Sequence, residues 1–113
     1  MTYVCSPLSA PTREETLANA ARAAGYSGEA EQEFGGRAVA PHACLPYLLD
    51  DRAPEQRALA LEFGLKVLRL CDRLAVYGPG ISPGMRGEIL EARRLGIPVI
   101  DRTERRLLHG EEA

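Results

Sequence analysis

The 113-residue chain lacks a basic excess: 14 Lys and Arg stand against 16 Asp and Glu, a formal net charge of −2. A groove that tracks a phosphate backbone needs such an excess, so a nucleic-acid polymer is not the expected partner. No apolar run approaches the roughly 20 residues of a membrane span, so no membrane partner is expected. The first residues carry no basic segment ahead of an apolar stretch, and no secretory leader is expected. Cysteine is scarce and unpatterned. Cys5, Cys44 and Cys71 are odd in number and form no Cys-x-x-Cys pair, which argues against a disulfide framework and a zinc site. Reduced thiols and a cytoplasmic location are the expectation, with no metal and no redox cofactor implied. Cys5 and Cys71 sit in apolar contexts and read as small core residues. Internal repeats and low-complexity tracts are also missing.

What is there is an ordinary globular balance, 45% apolar and 27% charged. A chain of this length buries roughly 65% of its unfolded surface around one core, so residues 1–113 are read as a single domain. Thr2-Tyr3-Val4-Cys5 is a short β-prone run stopped at Pro7. Thr12 and Glu15 have the spacing of a capping box. Leu17, Ala20, Ala21 and Ala24 continue a helical stripe, which Gly25 and Gly28 threaten to break and Gly35-Gly36 ends. Residues 37–40 form a second strand stopped by Pro41, and residues 42–54 an irregular loop. Pro54 suits the first position of a helix running to about Cys71. Residues 73–77 form a third, nearly continuous apolar strand, as in a sheet covered on both faces. Ser82-Pro83 caps a helix ending at Gly96, and residues 97–100 are a fourth strand whose Pro98 assigns it to an edge. The tail from Asp101 is expected to be a short helix.

Strands alternating with helices of this length imply a three-layer α/β/α sandwich around a short parallel sheet of about four strands, flavodoxin-like or Rossmann-like. Ligands bind such sheets beyond the carboxyl ends of the strands. Ser6-Pro7-Leu8-Ser9, Pro41-His42 and the run from Gly78 to Met85 converge there. The glycines Gly78, Gly80 and Gly84 permit close backbone approach, and Ser82 opens a helix whose positive end suits phosphate or carboxylate. This is neither a Walker loop nor a dinucleotide fingerprint; a tight capped turn is the plainer reading of the same residues. Arg86 is a candidate second contact. Glu88 lies beside the stripe of Ile89, Ala92 and Leu95; it is either a solvated charge or a functional carboxylate in the crevice. In the crevice it needs a donor, and Tyr3, Ser6 and His42 are the candidates. His42 is a loop residue or a weak acid. Asp72 reads as a structural turn residue. Asp50-Asp51 either reach over the site or are solvated.

Tyr3-Val4-Cys5-Ser6-Pro7, Ala40-Pro41-His42, Leu49-Asp50-Asp51, Cys71-Asp72-Arg73-Leu74, Gly78, Ile81-Ser82-Pro83-Gly84-Met85, Glu88-Ile89 with Ala92, and Gly96-Ile97-Pro98-Val99 occur in that order. The set resembles small bacterial and phage domains of the nucleoside 2-deoxyribosyltransferase-like family, related also to nucleotide N-glycosidases. The resemblance spans Thr2 to about Asp101. It implies that Glu88 is the nucleophile that attacks C1′ of a sugar. It also implies that Ser6, Ser9, Ser82 and Gly84 hold the sugar and any 5′-phosphate, with Tyr3, Pro7, His42, Gly78 and Met85 around the substrate. One departure stands out: the active enzymes carry an aspartate near position 64, where this chain has Gly64, and Glu62 is about 200° away around the helix. The expected partners are a nucleoside or nucleotide and, from the small size of the core, a second copy of the chain in a homodimer. The rival reading is a binding or sensing module without turnover.

Overall fold

The computed structural model describes residues 1–8, 10–41 and 53–108. Among the described residues, four strands, β1 (Thr2–Cys5), β2 (Ala38–Val39), β3 (Arg73–Gly78) and β4 (Val99–Thr103), alternate with three helices, α1 (Arg13–Phe34), α2 (Pro54–Leu68) and α3 (Pro83–Arg94). The sheet is wholly parallel, in the order β2-β1-β3-β4. These four strands follow the flavodoxin-type order, whose topological switch point lies between β1 and β3. Tyr3, Cys5, Leu74 and Val76 face α2 and α3, packing with Leu68, Met85, Ile89 and Ala92. Val4, Ala75 and Tyr77 face the other way, onto Ala30 and Tyr26 of α1. The alternation of side chains along each strand thus builds two cores, one on each side of the sheet.

Local chemistry accounts for the boundaries. The Thr12 hydroxyl accepts the Glu15 N–H at 3.1 Å, starting α1 as the capping pattern predicts. The helix then runs 22 residues without interruption to Phe34, through Gly25 and Gly28. Each of these glycines costs the helix about 1 kcal/mol relative to alanine, which the helix's contacts with β1 and β2 outweigh. β2 shrinks to two residues, and α2 ends at Leu68 rather than Cys71. β4 begins later than the sequence suggests because Pro98 contributes only its carbonyl, which accepts the Leu74 N–H at 2.9 Å. It is an edge strand, as Pro98 required. The Asp72 backbone N–H donates to Met1 O at 2.8 Å, and its carboxylate pairs with the terminal amine of Met1.

The tail is not helical among the described residues. The Asp101 carboxylate accepts the Thr103 N–H at 2.9 Å, the Thr103 hydroxyl and the Leu108 N–H at 2.8 Å, and Arg106 adopts φ 52°. These bonds fold the chain into turns that bury Leu108. Burial works to raise the Asp101 pKa, but the bonds from Thr103 and Leu108 outweigh it and hold the carboxyl below its ordinary value. A depressed folded-state pKa contributes stability that is complete above the unfolded value near 4 and lost as pH falls through the folded one. Asp101→Ala is therefore expected to cost about 2–3 kcal/mol at neutral pH, read by urea denaturation, with the penalty shrinking below about pH 4. A penalty that stays constant down to pH 2 would contradict this role.

Candidate functional site

β1 carries Tyr3 and Cys5 to the α2/α3 side of the sheet, where neither is accessible to solvent. α3 starts beside the carboxyl end of β3. The Ser82 hydroxyl accepts the Met85 N–H at 3.2 Å, and the Ser82 N–H approaches the Met85 sulfur at 3.4 Å. Pro83 takes the first helical position, where its missing N–H costs nothing. With Met85 and Ile89 turned to the core, Glu88 is buried as well, at 5% exposure.

A carboxylate at that depth needs donors. The Tyr3 hydroxyl donates to Glu88 Oε2. The Cys5 thiol lies 3.5 Å from Glu88 Oε1 and 3.7 Å from the Met85 carbonyl. Burial, and then the Glu88 charge, push the Tyr3 phenol and the Cys5 thiol well above their ordinary values. Both therefore stay protonated and can donate, one to each carboxylate oxygen. Cys5 consequently does more than fill the core, a role that only three-dimensional proximity discloses.

Gly64 completes the arrangement from α2. A Cβ there would stand 2.9 Å from the Tyr3 hydroxyl and 3.7 Å from Glu88 Oε2. The missing side chain makes room for the tyrosine oxygen.

Glu88 opens onto a cavity lined by Leu8, Pro41, Arg57, Ala60, Leu61, Gly64 and the Ser82–Met85 turn. The cavity has a volume of about 130 Å³. The basic residue of its lining is Arg57, from the first turn of α2, which the sequence pattern does not single out; Arg86 is not part of the lining. Of the N–H groups at the start of α3, Ser82 and Met85 are engaged within the cap and Pro83 has none. Gly84 supplies the remaining first-turn donor. An anion here would meet the Gly84 N–H, the helix dipole and Arg57 together.

The other expected site residues divide. Ser82, Gly84, Met85 and Glu88 share the cavity wall, with Tyr3 beneath them. Ser6 is buried at the end of β1, and the cavity wall there is Leu8. Pro7 and Gly78 belong together elsewhere: Gly78 has φ 110°, and a Cβ on it would meet Pro7 at 2.8 Å. Pro7 lines a second cavity on the α1 side with Asn19, Arg22, Tyr26, Pro79 and Glu104. Ser9, His42, Cys44, Asp50 and Asp51 lie outside the described residues. Glu62, exposed on α2, pairs with Lys66 at 3.1 Å. Among the described residues no cluster of His, Cys, Asp and Glu is suited to a metal, and no helix is long and apolar enough to cross a membrane.

Fold and site together define a small parallel α/β domain with a buried carboxylate, hydrogen-bonded by Tyr3 and Cys5, at its switch-point crevice. The chain belongs to the family described as Domain of unknown function (DUF7768), whose model matches residues 1–102. No curated protein and no solved structure matches it.

Proposed function

We propose that the cavity beside Glu88 binds a nucleoside or nucleoside 5′-monophosphate, and that Glu88 acts on its N-glycosidic bond. The observation that carries this reading is the buried Glu88 carboxylate, oriented by Tyr3 and Cys5 into a cavity at the strand ends. An oriented carboxylate with limited hydration is a competent nucleophile toward an oxocarbenium-like sugar carbon. A Glu88 oxygen forms a bond to C1′ while the C1′–N bond breaks. The base departs with that electron pair and takes a proton from solvent. Water, or a second base in a transfer reaction, then attacks C1′, loses its proton to solvent and releases the carboxylate. The apolar walls from Leu8, Pro41 and Leu61 suit a base or sugar face, and Arg57 with Gly84 suits a 5′-phosphate.

Gly64 favours a second reading, binding without turnover. A carboxylic acid at that position would collide with the Tyr3 hydroxyl, so the leaving base has no proton donor from α2. Two measurements separate these readings. Nucleoside 5′-monophosphates are expected to raise the melting temperature, since a ligand at 100 times its Kd stabilises by about 2.7 kcal/mol. Free base in the supernatant, followed by liquid chromatography, distinguishes turnover from binding alone. A panel of nucleosides and nucleotides that produces neither a shift nor free base would remove both.

A further inference from the structure

The outward face of α2 carries apolar side chains where an ordinary amphipathic helix would be polar. The helix turns Ala60, Gly64 and Leu68 inward, toward the cavity and the core. On the opposite side Glu55, Leu59, Glu62, Phe63 and Lys66 fall within an arc of about 100°, and all five are exposed. Leu59 is 56% exposed and Phe63 50%, while Leu70, just beyond the helix, is 74% exposed. Single exposed leucines are common. A Leu–Phe pair one turn apart, on the side of a helix facing away from its own core, is an exposed apolar stripe without a partner among the described residues.

The charges on this stripe say what covers it. Glu55 stands at its amino end and Lys66 at its carboxyl end, with Leu59 and Phe63 between them. Turning the helix end over end about an axis through the stripe, level with residue 61, places Leu59 against Phe63 of a second copy. The same rotation places Glu55 against Lys66 of that copy. The apolar pairing and the charge pairing are thus centred on the same point of the helix within one residue. An arbitrary apolar patch has no reason to be self-complementary in this way. A two-fold axis repeats each contact, giving two Leu–Phe contacts and two Glu–Lys contacts. Lys66 already bonds Glu62 of its own helix at 3.1 Å, which holds its ammonium along the stripe. We infer that α2 is the dimer interface, pairing antiparallel with α2 of a second copy through Leu59 and Phe63. The cavity lies on the other side of α2, so pairing leaves its mouth open and steadies the wall carrying Arg57 and Gly64. The inference does not depend on what the cavity binds.

The test is sedimentation equilibrium at tens of micromolar, with circular dichroism on each variant. The wild-type chain of 12.3 kDa is expected to sediment at twice its mass. Phe63→Glu is expected to weaken the dimer at least about a hundredfold with unchanged helix content, since the residue is half exposed. Glu55→Lys alone and Lys66→Glu alone are each expected to weaken it about tenfold, and the combined swap to restore it. A wild-type monomer, a dimer that survives Phe63→Glu, or a swap that fails to restore pairing would each overturn the inference.

Discussion

Glu88→Gln is expected to lower release of free base by at least about a thousandfold, while the protein stays folded and still binds its ligand. The amide has the shape of the carboxylate, and its oxygen still accepts the Tyr3 hydroxyl. It cannot form the glycosyl ester, because the amide oxygen is a poor nucleophile. The thiol of Cys5 retains the Met85 carbonyl as an alternative acceptor at 3.7 Å, so the stability change is expected to stay within about 1 kcal/mol. Glu88→Ala is different: it leaves the Tyr3 hydroxyl buried without its acceptor, at a cost of about 1–3 kcal/mol. Should the wild-type protein bind nucleotides without releasing base, Glu88→Gln shifts affinity instead, and the binding-module reading stands. Undiminished base release by the variant would show that Glu88 is not the nucleophile.

Gly64→Ala is expected to destabilise the protein although it removes a glycine from a helix. Alanine gains up to about 1 kcal/mol in helix propensity. Its Cβ, however, would stand 2.9 Å from the Tyr3 hydroxyl, and the fully buried ring has little freedom to retreat. Overpacking of this kind costs about 1–3 kcal/mol, for a net loss of up to about 2 kcal/mol and a melting temperature lower by up to roughly 10 °C. Tyr3→Phe removes the oxygen that is struck, at its own cost of about 1–3 kcal/mol for the lost bond to Glu88. In the Tyr3→Phe background, Gly64→Ala is expected to be neutral or stabilising. The coupling in urea denaturation should then reach at least about 1 kcal/mol. Additive effects would mean that Gly64 is not there to clear the tyrosine.

The sequence made the frame of the molecule readable because caps and prolines act locally. Thr12 with Glu15, Pro54, and Ser82 with Pro83 start their helices where spacing alone predicts, and Pro98 marks an edge strand. The glycines were less readable. Gly25 and Gly28 look like breaks but lie within one helix, whose packing on the sheet outweighs their weak propensity. The tail from Asp101 is expected to be a short helix, yet one buried carboxylate captures three donors and folds it into turns. Glu88 was legible as a crevice residue from its place beside the buried stripe of α3. Its setting was not: Cys5 is 83 residues away in sequence, and Gly64 matters only because a tyrosine from another element occupies the adjoining space. Arg57 on α2 likewise reaches the cavity through tertiary packing alone. Pro7 and Gly78, grouped with the site by strand-end position, abut each other instead, and Pro7 lines the cavity on the α1 side.

The central claim is that the Glu88 cavity is the ligand site, and amide chemical-shift mapping by two-dimensional NMR during titration with a deoxynucleoside 5′-monophosphate tests it most directly. Saturable shifts are expected, concentrated at Gly64, Gly84, Met85 and Glu88, together with the Arg57 side chain. No shifts at millimolar ligand, or shifts confined to Asn19, Arg22 and Tyr26 around the second cavity, would contradict it.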